Sequence, residues 1–222
     1  MHSDTVGWMG NAGASLAVTK NAAAVFLANA QAHLQYKTKK DLYLILGNYG
    51  FLKARGDNLI DNSFFHFRYN RKLSSILRWE LFTQLQKNLI TKIDYRFLVG
   101  TGPRFKLADS KKFKLYIATL LMYEKERETA QPPIIHNNIR NSSYISFSLM
   151  PNEQTEIVST SFYQPLLNSL QDYRLLNQTK LKVKAGKRFS ISVNYNYLFD
   201  NAPATGTPKT NYTFSTGFDY DF

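Results

Sequence analysis

From Phe189 to Phe199 the odd positions read Phe, Ile, Val, Tyr, Tyr, Phe, and the even positions between them read Ser, Ser, Asn, Asn, Leu. Side chains on an extended strand point alternately to opposite faces, so this stretch has one greasy, aromatic face and one small, polar face. On a helix the same residues would scatter around the axis. The pattern recurs along the whole chain. Leu77, Trp79, Leu81 and Leu85 alternate with Arg78, Glu80, Gln84 and Gln86, and Phe65, Phe67 and Tyr69 alternate with His66, Arg68 and Asn70. Twelve such segments fall at about 6–19, 23–37, 41–53, 60–70, 75–87, 90–107, 113–126, 138–150, 154–164, 173–185, 189–199 and 211–222. Segments 3 and 9 are apolar on both parities and leave their facing open. No helix is expected.

Alternation alone does not say whether the apolar face meets a core or a membrane. In a soluble sandwich or lipocalin-like barrel it points inward. Three features turn it outward. The polar parity, rich in small and long polar residues, suits a wet lumen. Outward aromatics collect near the strand ends in two groups: Trp8, Tyr36, Tyr43, Tyr69, Phe105, Phe113, Phe189 and Phe222 at one end, and Phe51, Tyr123, Tyr163, Tyr173, Tyr197 and Tyr212 at the other. Girdles at two membrane interfaces have this layout. Twelve strands also exceed the roughly eight whose barrel interior side chains just fill. The expected fold is therefore all-β, a 12-stranded antiparallel transmembrane β-barrel, with residues 1–222 as a single domain. A sheet in hydrocarbon must close so that its backbone groups are paired.

Composition sharpens the reading. The longest apolar run, Ala22 to Ala28, has seven residues, far short of the roughly 18 of a membrane helix. There is no Cys, which excludes disulfides and thiolate metal sites. The first residues, Met1-His2-Ser3-Asp4, show no basic region followed by a long apolar one. A cytoplasmic chain and a processed form share that feature, and the strand pattern favours the second. Connections after even strands are short (38–40, 71–74, 108–112, 151–153, 186–188). Several after odd strands are longer (127–137, 165–172, 200–210). This is the layout of an outer-membrane barrel, and an even strand count puts both termini on the short-turn, periplasmic side.

The last strand ends Ser215-Thr216-Gly217-Phe218-Asp219-Tyr220-Asp221-Phe222. It resembles the C-terminal signal of bacterial outer-membrane proteins, with Ser215, Gly217, Tyr220 and Phe222 in its slots, and the resemblance implies delivery to the barrel assembly machinery. The whole chain resembles the domain of unknown function 481 family of Gram-negative outer-membrane barrels. The supporting stretches are Gly7-Trp8 with Gly13-Ala14-Ser15-Leu16, Tyr95-Arg96 with Gly100-Thr101-Gly102, Asp172-Tyr173-Arg174, Asp200-Asn201-Ala202-Pro203 and the closing strand. Two departures are Thr19-Lys20-Asn21 in place of a glycine-asparagine turn, and Pro103, which interrupts the sixth strand. The family's biochemical role is not established.

The formal net charge is +12, with 28 Lys and Arg against 16 Asp and Glu. A collar of Lys37, Lys39, Lys40, Arg71, Lys72, Lys106, Lys111, Lys112, Lys184, Lys187 and Arg188 is expected at the short-turn end. Such a collar attracts anionic outer-membrane lipids, or docks an acidic periplasmic partner or cell-wall polymer. Its dispersal over turns speaks against nucleic acid. Arg68, Arg78, Arg96, Arg104, Lys114, Arg140, Arg174, Lys180 and Lys182 fall on the inward parity, with Glu80, Glu124, Glu126, Glu156, Asp219 and Asp221 as the chief inward acids. Two readings stand. The charges pair and plug the lumen, or the excess of cations makes a narrow, anion-preferring channel that loses its preference on Arg96→Glu or Arg174→Glu.

The outer wall carries two expected irregularities. Strands 1 and 2 present Gly10, Ala12, Ala14, Ala24, Ala28, Ala30 and Ala32, and strands 8 to 10 present Ser143, Ser159, Ser161, Asn177 and Thr179. Small residues permit close approach in a bilayer, and a lipid-facing polar group is unfavourable without a partner. Either patch would suit another membrane protein or a second copy, the scaffold alternative to a channel. No catalytic, cofactor or metal site is expected. The inward His33 and His66 are not paired neighbours, His136 falls in an outer loop, and nucleotide and zinc motifs are missing.

Overall fold

The computed structural model describes residues 6–20, 24–186 and 189–220, with side chains up to position 218. Its elements are β1 (Gly7–Lys20), β2 (Ala24–Lys37), β3 (Asp41–Ala54), β4 (Asp57–Lys72), β5 (Leu77–Asn88), β6 (Ile93–Asp109), β7 (Phe113–Glu128), β8 (Ile135–Asn152), β9 (Thr155–Leu166), β10 (Ser169–Lys184), β11 (Phe189–Asp200) and β12 (Thr210–Tyr220). They form one sheet in chain order, each strand antiparallel to the next. Contacts between distant strands show how strongly the sheet curls on itself. Tyr144 of β8 donates to Glu80 of β5 at 2.7 Å. Lys92, in the turn after β5, donates to the Thr205 carbonyl, in the loop before β12, at 2.7 Å. The fold is a twelve-stranded antiparallel transmembrane β-barrel.

The register confirms the facing. Trp8, Tyr36, Tyr43 and Tyr69 are successive cross-strand partners, and neighbouring rings lie 4.7, 6.2 and 5.0 Å apart. This is the expected outward girdle at the short-turn end. At the other end Tyr163, Tyr173 and Phe199 form a second row with 5.8 and 5.7 Å spacings. In β7 the even positions 114 to 128 are buried without exception, while Phe113, Ile117, Leu121 and Tyr123 are exposed. The ladders carry that parity into the ambiguous strands. Leu42, Leu44 and Leu46 of β3 and Val158 of β9 face inward, and Ile45 and Ile157 face outward.

Four local expectations change. Arg55 and Gly56, both with positive φ, make a two-residue turn between β3 and β4, as a type I′ hairpin requires. The expected 165–172 loop is mostly strand, with only Leu167 and Asn168 between β9 and β10 and a register shift between Ser169 and Tyr173. The long outer connections are therefore 129–134 and 201–209. Pro103 does not interrupt β6. It faces Trp79 across the β5 ladder, and the register with β7 is the same on both sides of it. His136 lies within β8 rather than in a loop, its Nε2 2.7 Å from Glu128.

Candidate functional site

The lumen has a filled side and an open side. On the filled side, β4 to β9, the inward parity carries an apolar layer at mid-height. Phe82, Leu98, Ala118, Leu120, Met122 and Tyr144 are buried together, with Phe162 packed against them. The small-and-polar character expected of the lumen is thus wrong for this sector. Gly100 makes room for the layer, since a Cβ there would lie 2.4 Å from the Phe82 ring.

Beyond the layer, toward the long loops, lies a network of paired charges. Glu124, 0% exposed, accepts from Arg140 Nε at 2.6 Å and also pairs with Arg96 and Arg174. Arg96 and Arg174 reach Glu126 at 3.1 and 3.3 Å. Arg140 pairs with Asp172 at 3.0 Å and Arg174 with Asp200 at 2.6 Å. Three guanidiniums thus meet four carboxylates from β6, β7, β8, β10 and β11. Buried charges of this kind hold only when each is matched and hydrogen-bonded.

The Asp172-Tyr173-Arg174 and Asp200-Asn201-Ala202 stretches meet here. Asp200 also accepts from the Ala202 amide at 3.0 Å, and Asn201 donates to the Gln171 carbonyl at 2.6 Å. Both acids were expected in loops, and their part in the network could be found only once the register placed them beside Arg140 and Arg174.

Toward the short turns lies a second cluster around Glu80, which is 1% exposed. Arg68 and Arg104 approach Glu80 at 3.5 and 3.7 Å, and the Arg104 guanidinium sits 4.2 Å over the Tyr116 ring. Arg78 also lies over Tyr116, at 5.7 Å. Cations exceed acids here, the opposite of the outer network. For Arg96, Arg140 and Arg174 the plug reading therefore holds. Their charge is compensated in place, so Arg96→Glu and Arg174→Glu would break a network rather than retune a pore. Lys180 and Lys182 face inward from β10 outside both clusters, and Lys180 is exposed to the lumen.

The open side runs along β1 to β3 and round through β10 to β12. Among its inward residues Asn11, Ser15, Asn29, Gln31, Asn48, Gln178, Asn196, Thr213 and Ser215 are neutral, polar and exposed. At the long-loop end of β1 to β5 it widens into a cavity of about 620 Å³. Of the assembly-signal residues, Ser215 and Gly217 face Asn194 and Ser192 of β11. Tyr220 pairs with Phe189 in the ladder, and Phe222 lies outside the described residues.

On the outer wall the polar residues of β8 to β10 satisfy one another. Ser143 and Asn141 each donate to Thr119, at 3.1 and 2.9 Å. Asn177 donates to Ser159 and Ser161 at 3.2 and 2.8 Å, and Ser159 lies 2.8 Å from Thr179. The physical reason to expect a partner at Ser143, Ser159, Ser161 and Asn177, an unpaired polar group in lipid, is removed. The small residues of β1 and β2 do form one outward stripe, with Ala12 opposite Ala32, Ala14 opposite Ala30 and Leu16 opposite Ala28. Ala24 lies at its loop end, opposite Lys20.

The family model described as "Protein of unknown function, DUF481" matches residues 16–222. The chain belongs to the DUF481 family. No curated protein matches it by sequence. Among solved structures the NanC porin superposes with a TM-score of 0.53 at 10% identity, covering 96% of this chain and 99% of NanC. At that identity the likeness is one of fold. The translocator domain of the autotransporter NalP from Neisseria meningitidis gives a TM-score of 0.49 at 11% identity, covering 100% of this chain and 90% of that one. This DUF481 chain shares the fold of the NanC porin.

Proposed function

We propose that this DUF481 protein is a narrow outer-membrane channel for small polar solutes, with both termini in the periplasm. Its path runs beside β10 to β12 and β1 to β3, past the plugged sector. One observation carries the reading: Asn11, Ser15, Asn29, Gln31, Asn48, Gln178, Asn196, Thr213 and Ser215 of those strands are inward, polar and exposed, whereas every inward side chain of β7 from position 114 to 128 is buried. A purely structural barrel needs no such asymmetry. The porin-type fold and the aromatic girdles support the location, and the C-terminal strand, with Ser215 and Gly217 in place, supports handling by the barrel assembly machinery. The basic turn collar suits anionic lipid on the inner leaflet.

Anion preference is set at the short-turn half of the path, where Lys180 and Lys182 of β10 face inward and Glu156 of β9 stands opposite Lys182. Charged rings select ions in this way. In planar bilayers the purified protein gives single-channel currents, and its reversal potential in a KCl gradient has the sign of chloride preference. Lys180→Glu with Lys182→Glu moves that potential toward cation preference, while Arg174→Lys, which keeps the network's charge, leaves the sign unchanged. Insertion into the bilayer without current would overturn the proposal.

A further inference from the structure

The cavity at the outer end of β1 to β5 is built from two adjacent cross-strand rows. One reads Ser15, Asn29, Gly50, Asn62, Asn88, and the next reads Gly13, Gln31, Asn48, Phe64, Gln86. All ten residues line the cavity. Six of them are amides, two are glycines that hollow the wall, and Phe64 contributes a flat apolar face. That ring is held parallel to His66, 5° between planes at 6.1 Å. His66 in turn is fixed by Gln84 at 3.1 Å.

The lining contains no carboxylate. Its one cation, Lys87, is bound to Asp61 at 2.5 Å. The arginines of the outer network are paired with acids on the far wall. Some amides serve the scaffold: Asn62 accepts from the Leu89 amide at 3.2 Å, Asn88 from the Thr91 amide at 3.1 Å and Gln86 from Gln84 at 2.7 Å. Asn29, Gln31 and Asn48 are different. They are exposed to the cavity and make no side-chain hydrogen bond with the described residues.

We infer that this vestibule is a binding site for a neutral polyhydroxylated solute, a short uncharged oligosaccharide, held by Asn29, Gln31 and Asn48. The inference rests on the channel reading and names its substrate class. A side-chain amide offers donors and an acceptor within one rigid group, and a sugar hydroxyl is likewise both donor and acceptor. Three amides on adjacent strands, without a side-chain partner among the described residues, can therefore exchange their water for hydroxyls without leaving a polar atom unmatched. A charged or zwitterionic solute finds no counter-charge here and would leave its ionised group poorly solvated. Phe64 covers the apolar C–H face of a pyranose ring. The volume lies within the span of small-ligand sites.

The test uses maltotriose as the neutral probe and trigalacturonate as the anionic one. On wild-type channels in planar bilayers, maltotriose produces concentration-dependent interruptions of the ion current. The triple variant Asn29→Leu, Gln31→Leu, Asn48→Leu weakens maltotriose binding by about tenfold or more, the loss of two or three net hydrogen bonds. Asn29→Gln with Asn48→Gln, which keeps the amides, restores most of it and guards against misfolding. The same probe titrated calorimetrically into the detergent-solubilised protein reads the site without any current. A barrel that binds maltotriose but conducts nothing would sink the channel reading and leave the site standing. A conducting barrel that ignores maltotriose in both assays, or answers only to trigalacturonate, would overturn the site.

Discussion

Glu124→Gln lowers the unfolding free energy of the barrel by about 3–5 kcal/mol, read as a lower urea midpoint in detergent micelles. Removing one partner of a buried ion pair leaves the other charge desolvated and unmatched. Here one carboxylate touches three guanidiniums, from β6, β8 and β10. Gln keeps the size and one acceptor, so the loss reports charge rather than packing. Glu126, Asp172 and Asp200 stay in place and hold the effect within that range. Since Arg140 is buried with Glu124, the variant Glu124→Leu with Arg140→Leu is less damaged than Glu124→Gln alone. Equal midpoints for wild type and Glu124→Gln would mean that the network is solvated and the sector is not plugged.

The second large effect comes from two glycines that differ in what stands opposite. A Cβ on Gly102 would lie 2.2 Å from the Thr119 carbonyl oxygen and 2.8 Å from the Leu120 Cα, both backbone atoms of β7. A Cβ on Gly100 would lie 2.4 Å from the ring of Phe82, a side chain. Overpacking of this kind costs about 1–3 kcal/mol or more when neighbours cannot move. Gly102→Ala therefore destabilises by about 3 kcal/mol and is not rescued from the lumen. Gly100→Ala destabilises less, and Phe82→Leu in the same chain recovers most of the loss. Refolding yield and urea midpoint of the three variants check this ordering. Rescue of Gly102→Ala by Phe82→Leu would contradict the geometry. The Gly100-Thr101-Gly102 stretch thus has a packing cause, and Thr101 between them accepts from the Trp79 indole on the outer wall at 2.8 Å.

The strands and their facing were legible in the sequence because lipid on one side and lumen on the other impose opposite demands on alternate residues. Trp8, Tyr36, Tyr43 and Tyr69 could be set in one girdle from parity alone. What stayed hidden was where inward residues converge. In Leu120-Leu121-Met122 both parities are apolar, so Leu121 could be read outward, but nothing in the stretch announces that Leu120 and Met122 meet Phe82 and Leu98 inside. The pairing of Arg96, Arg140 and Arg174 was hidden for the same reason. It depends on Glu124 standing level with them and on Asp172 and Asp200 belonging to strands rather than loops.

The amide rows also exist only in the register. Gln31 and Asn48 are seventeen residues apart in the chain and opposite each other in the sheet. The turn at Arg55-Gly56 is marked by its glycine, but Asp57-Asn58-Leu59-Ile60 shows no alternation that would place the start of β4 at Asp57.

One parity of these strands meets hydrocarbon, and the other faces an interior that is wet along β1 to β3. The chain has no Cys, so single cysteines along β2 carry a spin label cleanly. Collision rates with oxygen, which partitions into lipid, and with a water-soluble nickel chelate are measured on the protein in bilayers. High oxygen and low nickel accessibility are expected at 28, 30 and 32, and the reverse at 29, 31 and 33. Equal accessibility at both parities, or nickel contact at 28, 30 and 32 in place of 29, 31 and 33, would contradict it.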